Sequence, residues 1–100
     1  MAHITGGGIG ENVSRSIPDN VKIEIDSRSW ETPKLFNYIK DRGGICLEEM
    51  FKVFNMGIGM IIIVEPRFQD IALSTDKDSK IIGKILNRSN NEEKVEIIGI

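Results

Sequence analysis

Four glycines at positions 6, 7, 8 and 10, set in the run His3-Ile4-Thr5-Gly6-Gly7-Gly8-Ile9-Gly10-Glu11-Asn12-Val13-Ser14-Arg15, constrain this chain more than any other feature. Residues without a Cβ let the backbone enter conformations closed to other residues and let another group approach the main chain closely. Ala2 to Thr5 reads as a short strand that runs into this loop. Its backbone N–H groups can turn toward one point, with Asn12 and Arg15 beside them as directed donors, a combination that suits an anion such as phosphate. The G-x-G-x-x-G dinucleotide spacing is absent, and no Gly-Lys-Ser/Thr follows as in a Walker loop. From the residues alone the run is either a ligand loop or a tight turn. A simple turn does not need three adjacent glycines, which cost conformational entropy on folding, and this favours ligand contact.

The rest of the chain alternates strand and helix signals. Glu11 to Ile17 can form one or two helical turns, ended by Pro18. Val21 to Ile25 alternates apolar and charged residues, as a half-buried strand does. Thr32 and Pro33 open a helix to about Asp41, with Leu35, Phe36 and Ile39 facing the core and Gly43-Gly44 stopping it. Cys46 to Phe54 is a second helix, its apolar stripe being Leu47, Met50, Phe51 and Phe54. Asn55 to Gly59 breaks that helix. Met60 to Val64 is apolar on both faces, so it reads as a central strand covered on both sides. Pro66 opens a short helix or turn through Leu73, and Thr75 to Ser79 is a polar loop. Ile81 to Leu86 and Lys94 to Ile98 are strands whose polar link is compatible with a hairpin. The expected fold is α+β: a mixed, partly antiparallel sheet with helices packed on one face.

One hundred residues make one small domain at most. The net charge of −2 is spread along the chain, so no basic stripe argues for nucleic acid and no polybasic segment for a membrane surface. Met60 to Val64, the longest apolar stretch, is far short of the ~20 residues of a membrane helix. Cys46 is the single cysteine, which excludes an internal disulfide and suits a reducing compartment. With no secretory signal at its start, the chain reads as cytoplasmic. His3 is the only histidine and has no metal-site spacing with Cys46, so the expected metal-ligand set within this chain is empty. Trp30 reads as a partly buried anchor.

His3-Ile-Thr-Gly-Gly-Gly8, followed by Glu11-Asn12 and Arg15, then Ser29-Trp30, then Phe54-Asn-Met-Gly-Ile-Gly-Met60, resembles the C-terminal part of the phosphoribosylformylglycinamidine cyclo-ligase (aminoimidazole ribonucleotide synthetase) family. The pairing looks closer to that family than to its relatives selenophosphate synthetase and the hydrogenase maturation enzyme. The resemblance implies that residues 1–100 are a partial C-terminal domain, with the start of that domain and an N-terminal ATP-binding domain absent. It implies an ATP- and Mg2+-dependent closure of the imidazole ring of formylglycinamidine ribonucleotide in purine biosynthesis, with ATP and Mg2+ held mainly outside this segment. The substrate contacts it implies are Thr5, Gly6, Gly7, Gly8, Asn12 and Arg15. It places His3 beside the cleft as a contact or proton-transfer candidate, and the Asn55–Gly59 turn in the framework. A segment lacking the ATP domain is expected to be inactive alone. The competing reading is a free-standing binding or oligomerisation module, a homodimer formed through unpaired sheet edges.

Overall fold

The computed structural model describes residues 2–4, 7–89 and 91–100, with nothing said of the side chains of residues 2 and 3. Among these residues two small sheets carry five strands: β1 (Ala2–His3), β2 (Val21–Asp26), β3 (Met60–Ile61), β4 (Gly83–Asn87) and β5 (Val95–Ile98). Four helices lie between them: α1 (Gly8–Ser14), α2 (Lys34–Gly43), α3 (Leu47–Val53) and α4 (Gln69–Thr75), the last preceded by a 3-10 turn over Pro66–Phe68. β1 pairs antiparallel with β3. β2 is the centre of the other sheet, antiparallel to β4 and parallel to β5. The fold is α+β with a mixed sheet, as the sequence pattern indicated.

β2 earns its central place by alternation. Ile23 and Ile25 are buried on one face, while Lys22 and Glu24 stand on the other beside Glu92 and Lys84. Against the apolar face pack Ile9 and Val13 of α1 and Met50 and Phe51 of α3, with Ile4, Ile17, Trp30, Met56 and Ile61 completing the core. The apolar stripe of α3 is therefore core, as its spacing implied. Trp30 stands edge-on to Phe51, with ring centroids 6.3 Å apart.

The structure corrects five details. The two C-terminal strands do not form a hairpin; β2 lies between them, in the order β4-β2-β5. Their link is long enough to pass over the end of β2, where the Arg88 guanidinium donates to the carbonyls of Asp19 and Glu92 and its N–H to that of Asn20. Among the described residues the Met60–Val64 strand is paired at Met60–Ile61, and Ile62, Ile63 and Val64 are exposed rather than covered. α1 starts within the glycine run, at Gly8, and ends at Ser14, earlier at both ends than expected. Thr32 does not cap α2; Pro33 precedes the helix with no side-chain cap, and its ring packs against Gly57. Leu35 faces solvent, 63% exposed, leaving Phe36 and Ile39 as the inward residues of α2. Gly44, at φ 62°, ends α2 in the left-handed conformation that the Gly43-Gly44 pair foretold.

Two predictions follow from this packing. Ile25→Ala removes a fully buried side chain and should lower the unfolding free energy by ~2–5 kcal/mol in urea titrations, whereas Leu35→Ala should change it by less than ~0.5 kcal/mol. The Lys22 ammonium and the Ser89 N–H hold the Glu92 carboxyl down at about 2, against an ordinary value of 4.5. A depressed carboxyl contributes stability that is complete above pH 4.5 and is lost as the pH falls through about 2. Glu92→Gln should therefore flatten the acid limb of a stability–pH curve over that window and leave stability near neutral pH less dependent on Lys22.

Candidate functional site

α1 is the element on which the sequence candidates converge, and it is fixed at both ends. At its start Gly7 and Gly8 adopt φ of 97° and 74°, a region that side-chain-bearing residues rarely enter. A Cβ on Gly8 would collide with the Phe51 carbonyl oxygen, so the missing side chain lets α1 and α3 touch backbone to backbone. At its end the Lys94 ammonium donates to the carbonyls of Ser14 (2.8 Å) and Ile17 (2.9 Å), and pairs with Asp19 at 3.3 Å. A cation at the exposed carbonyls of a helix C-terminus is well placed electrostatically.

The second glycine motif braces the first. The Ile4 N–H, just upstream of the loop, donates to the Gly59 carbonyl at 2.9 Å. The Trp30 indole N–H donates to the Met56 carbonyl at 3.0 Å, in the buried interior. Met56 sits at φ 55°, a costly conformation for a residue with a side chain, and Gly57 follows at φ 100° against the Pro33 ring. The Asn55 side chain accepts the Gly57 N–H and closes the turn.

The candidate residues divide within this frame. Gly7 caps α1 and Gly8 is buried beneath it. Asn12 is buried, and its side-chain amide donates to the Gly8 carbonyl at 2.7 Å, so it is turned into its own helix. Arg15 is on the exposed side of α1, paired with Glu11 one helical turn earlier. His3 lies in β1 opposite Met60, with its side chain outside the described residues. Thr5 and Gly6 also lie outside them. Glu11 is the residue that sequence reasoning missed. Its carboxylate pairs with Arg15 and packs against Gly7, and the i, i+4 spacing of opposite charges was the available signal. Among the described residues no three His, Cys, Asp or Glu side chains gather as a metal would need.

The model of the family described as AIR synthase related protein, C-terminal domain, matches residues 1–96. The chain belongs to that family. It is also 41% identical, over 97% of its length, to the phosphoribosylformylglycinamidine cyclo-ligase of Chromobacterium violaceum. It spans only 29% of that relative. The two glycine motifs joined here by Ile4 and Gly59 are those on which the family resemblance rested. Among the described residues no helix is long and apolar enough to cross a membrane.

Within this site the glycines are not equivalent. Gly8→Ala should cost more than ~2 kcal/mol, since it combines a positive φ with a backbone collision. Gly10 has open space around its Cβ position, and Gly10→Ala should be neutral or stabilising by up to ~1 kcal/mol. Thermal unfolding of the two variants reads the contrast.

Proposed function

We propose that this chain supplies the C-terminal part of a phosphoribosylformylglycinamidine cyclo-ligase. The observation that carries the reading is a glycine-capped helix presenting Arg15 on its exposed face, in a chain of the AIR synthase related family. In the proposed reaction ATP transfers its terminal phosphoryl group to the formyl oxygen of formylglycinamidine ribonucleotide, releasing ADP. A substrate nitrogen then attacks the activated carbon, the C–O bond breaks, inorganic phosphate departs and the imidazole ring closes. Such chemistry depends mainly on positioning and on stabilising the charge that develops.

In this reading ATP and Mg2+ bind mainly to the portion of the enzyme that lies outside these residues. The segment contributes to the substrate side. Arg15 offers a guanidinium to the substrate phosphate, in competition with the Glu11 carboxylate that holds it here. Thr5, Gly6, Gly7 and Gly8 are the further candidates for substrate contact, through backbone or hydroxyl donors. Asn12 acts by fixing the first turn of α1 through Gly8. His3, on the strand that feeds the loop, is the candidate for proton transfer. A lone free cysteine suits function in the reducing cytoplasm.

The test uses a full-length cyclo-ligase carrying this segment. Arg15→Ala should raise the KM for formylglycinamidine ribonucleotide by roughly ten- to a hundredfold, the loss of one charge-assisted hydrogen bond of ~1.5–3 kcal/mol. Unchanged kinetics would remove Arg15 from the site. The 100-residue chain alone should show no ring closure, and turnover by the pure segment would overturn the assignment of ATP binding elsewhere.

A further inference from the structure

The end of α1 is closed around a single ammonium group. Lys94 stands just before β5, and its main-chain carbonyl accepts the Ile23 N–H at 2.8 Å, so its backbone belongs to the central sheet. From that base the side chain reaches the carbonyls of Ser14 and Ile17, at 2.8 and 2.9 Å, and the Asp19 carboxylate, at 3.3 Å. An ammonium carries three N–H donors, and three oxygens receive them. The two carbonyls bracket Arg15. The Ser14 carbonyl lies in the same rigid peptide plane as the Arg15 nitrogen and Cα, so holding that oxygen constrains the point from which the Arg15 side chain leaves the backbone. Without a donor, the Ser14 carbonyl would be one of the orphan acceptors of a helix end, where a short helix frays. Arg88 holds the next stretch separately, through the carbonyls of Asp19 and Asn20. Val13 and Ile17 stay in the core on the buried side. Release at Lys94 therefore frees mainly Arg15 and Ser16.

We infer that Lys94 is a positioning residue for Arg15: by tethering the end of α1 it sets the direction in which the guanidinium is offered to a phosphate-bearing substrate. The substrate half of this inference rests on the proposed function; the tether rests on the geometry of the three oxygens. Two groups hold Arg15, Glu11 at the side-chain end and Lys94 at the main-chain end. A phosphate that takes the guanidinium replaces Glu11, whereas the Lys94 bonds are made to the backbone and persist. A group already held in its binding position loses less freedom when the ligand arrives. The Lys94 side chain is only 22% exposed and its donors are engaged at the helix end, so it acts through Arg15 rather than on a ligand.

Lys94→Met keeps the length of the side chain and removes its donors. In the 100-residue chain, amide hydrogen exchange is read at Ser16, whose N–H donates to the Val13 carbonyl, and at Ile23, whose N–H is bonded to the Lys94 main chain. The variant should speed exchange at Ser16 roughly tenfold and leave Ile23 protected. Equal acceleration at both amides would mean a general loss of stability and would overturn the tether. In a full-length cyclo-ligase carrying this segment, Lys94→Met should raise the KM for formylglycinamidine ribonucleotide about tenfold, as a misplaced binding group does, with little change in kcat. Added to Arg15→Ala it should raise KM no further, since both changes act through one group. Lys94→Arg, which restores donors, should recover most of the affinity. An unchanged KM in the folded Lys94→Met enzyme, or an equal rise with Arg15 already removed, would overturn the inference. If Lys94→Met does not fold in the longer protein, Asp19→Ala withdraws one acceptor at an exposed position and is read in the same cycle; it should raise KM roughly two- to threefold, and only where Arg15 is present. Faster exchange at Ser16 alongside an Arg15→Ala enzyme of unchanged kinetics would keep the tether and overturn the phosphate reading of Arg15.

Discussion

The close approach of α1 to α3, backbone against backbone at Gly8 and Phe51, is the contact on which the rest of the structure depends. A helix of seven residues has little stability of its own, because the nucleation cost is spread over few hydrogen bonds. α1 holds its place because Ile9 and Val13 enter the core while Gly8 removes the atom that would keep the helices apart. Any side chain at position 8 would push α1 off α3 and withdraw Ile9 and Val13 from Met50 and Phe51. The sheet below would then lose much of the layer that covers Ile23 and Ile25.

The same contact explains why two glycine motifs separated by some forty residues belong together. Gly8 rests on the end of α3, and that helix leads directly into the Asn55–Gly59 turn. This turn returns the chain so that the Gly59 carbonyl receives the Ile4 N–H, just before the first motif. Trp30 ties the turn to the interior through Met56. The paired motif is thus a closed mechanical loop: strand, glycine turn, helix contact, second turn and back to the strand.

What was legible in the sequence was what local chemistry decides. The stripe Leu47, Met50, Phe51 and Phe54, the alternation of Val21 to Ile25 and the Gly44 stop each carry their own signal, and each took the expected form. What was illegible depends on a partner distant in sequence. Nothing local says that β2 will separate the last two strands; that arrangement draws on Arg88 reaching the Asp19 carbonyl and Lys94 reaching α1. Leu35 looks like a core residue by type, but its helix turns Phe36 and Ile39 inward instead. In the candidate site, Arg15 is singled out by its charge and its pairing with Glu11 is not, although the i, i+4 spacing announces that pair. Asn12 is legible as a directed donor beside the glycines; that its amide bonds the Gly8 carbonyl depends on the burial that the helix imposes.

This division shapes the chemistry that α1 can perform. Its buried side is occupied by Ile9, Asn12 and Val13, and its C-terminal carbonyls are occupied by Lys94. In the proposed reading, the Gly7 turn at its start and the Glu11–Arg15 pair at its exposed side are the parts that would meet the substrate. An arriving phosphate would meet a guanidinium already oriented by a carboxylate, and would have to replace that carboxylate to bind it. Exchange of one anionic partner for another keeps the guanidinium paired throughout, while the displaced Glu11 carboxylate, already exposed, is left to water. The net gain is small unless the phosphate can also reach the backbone donors of the glycine turn, which the Glu11 carboxylate now packs against. Selectivity for a phosphate over a simple carboxylate would then arise from its additional acceptor oxygens, because only a group with several can engage Arg15 and the turn at once.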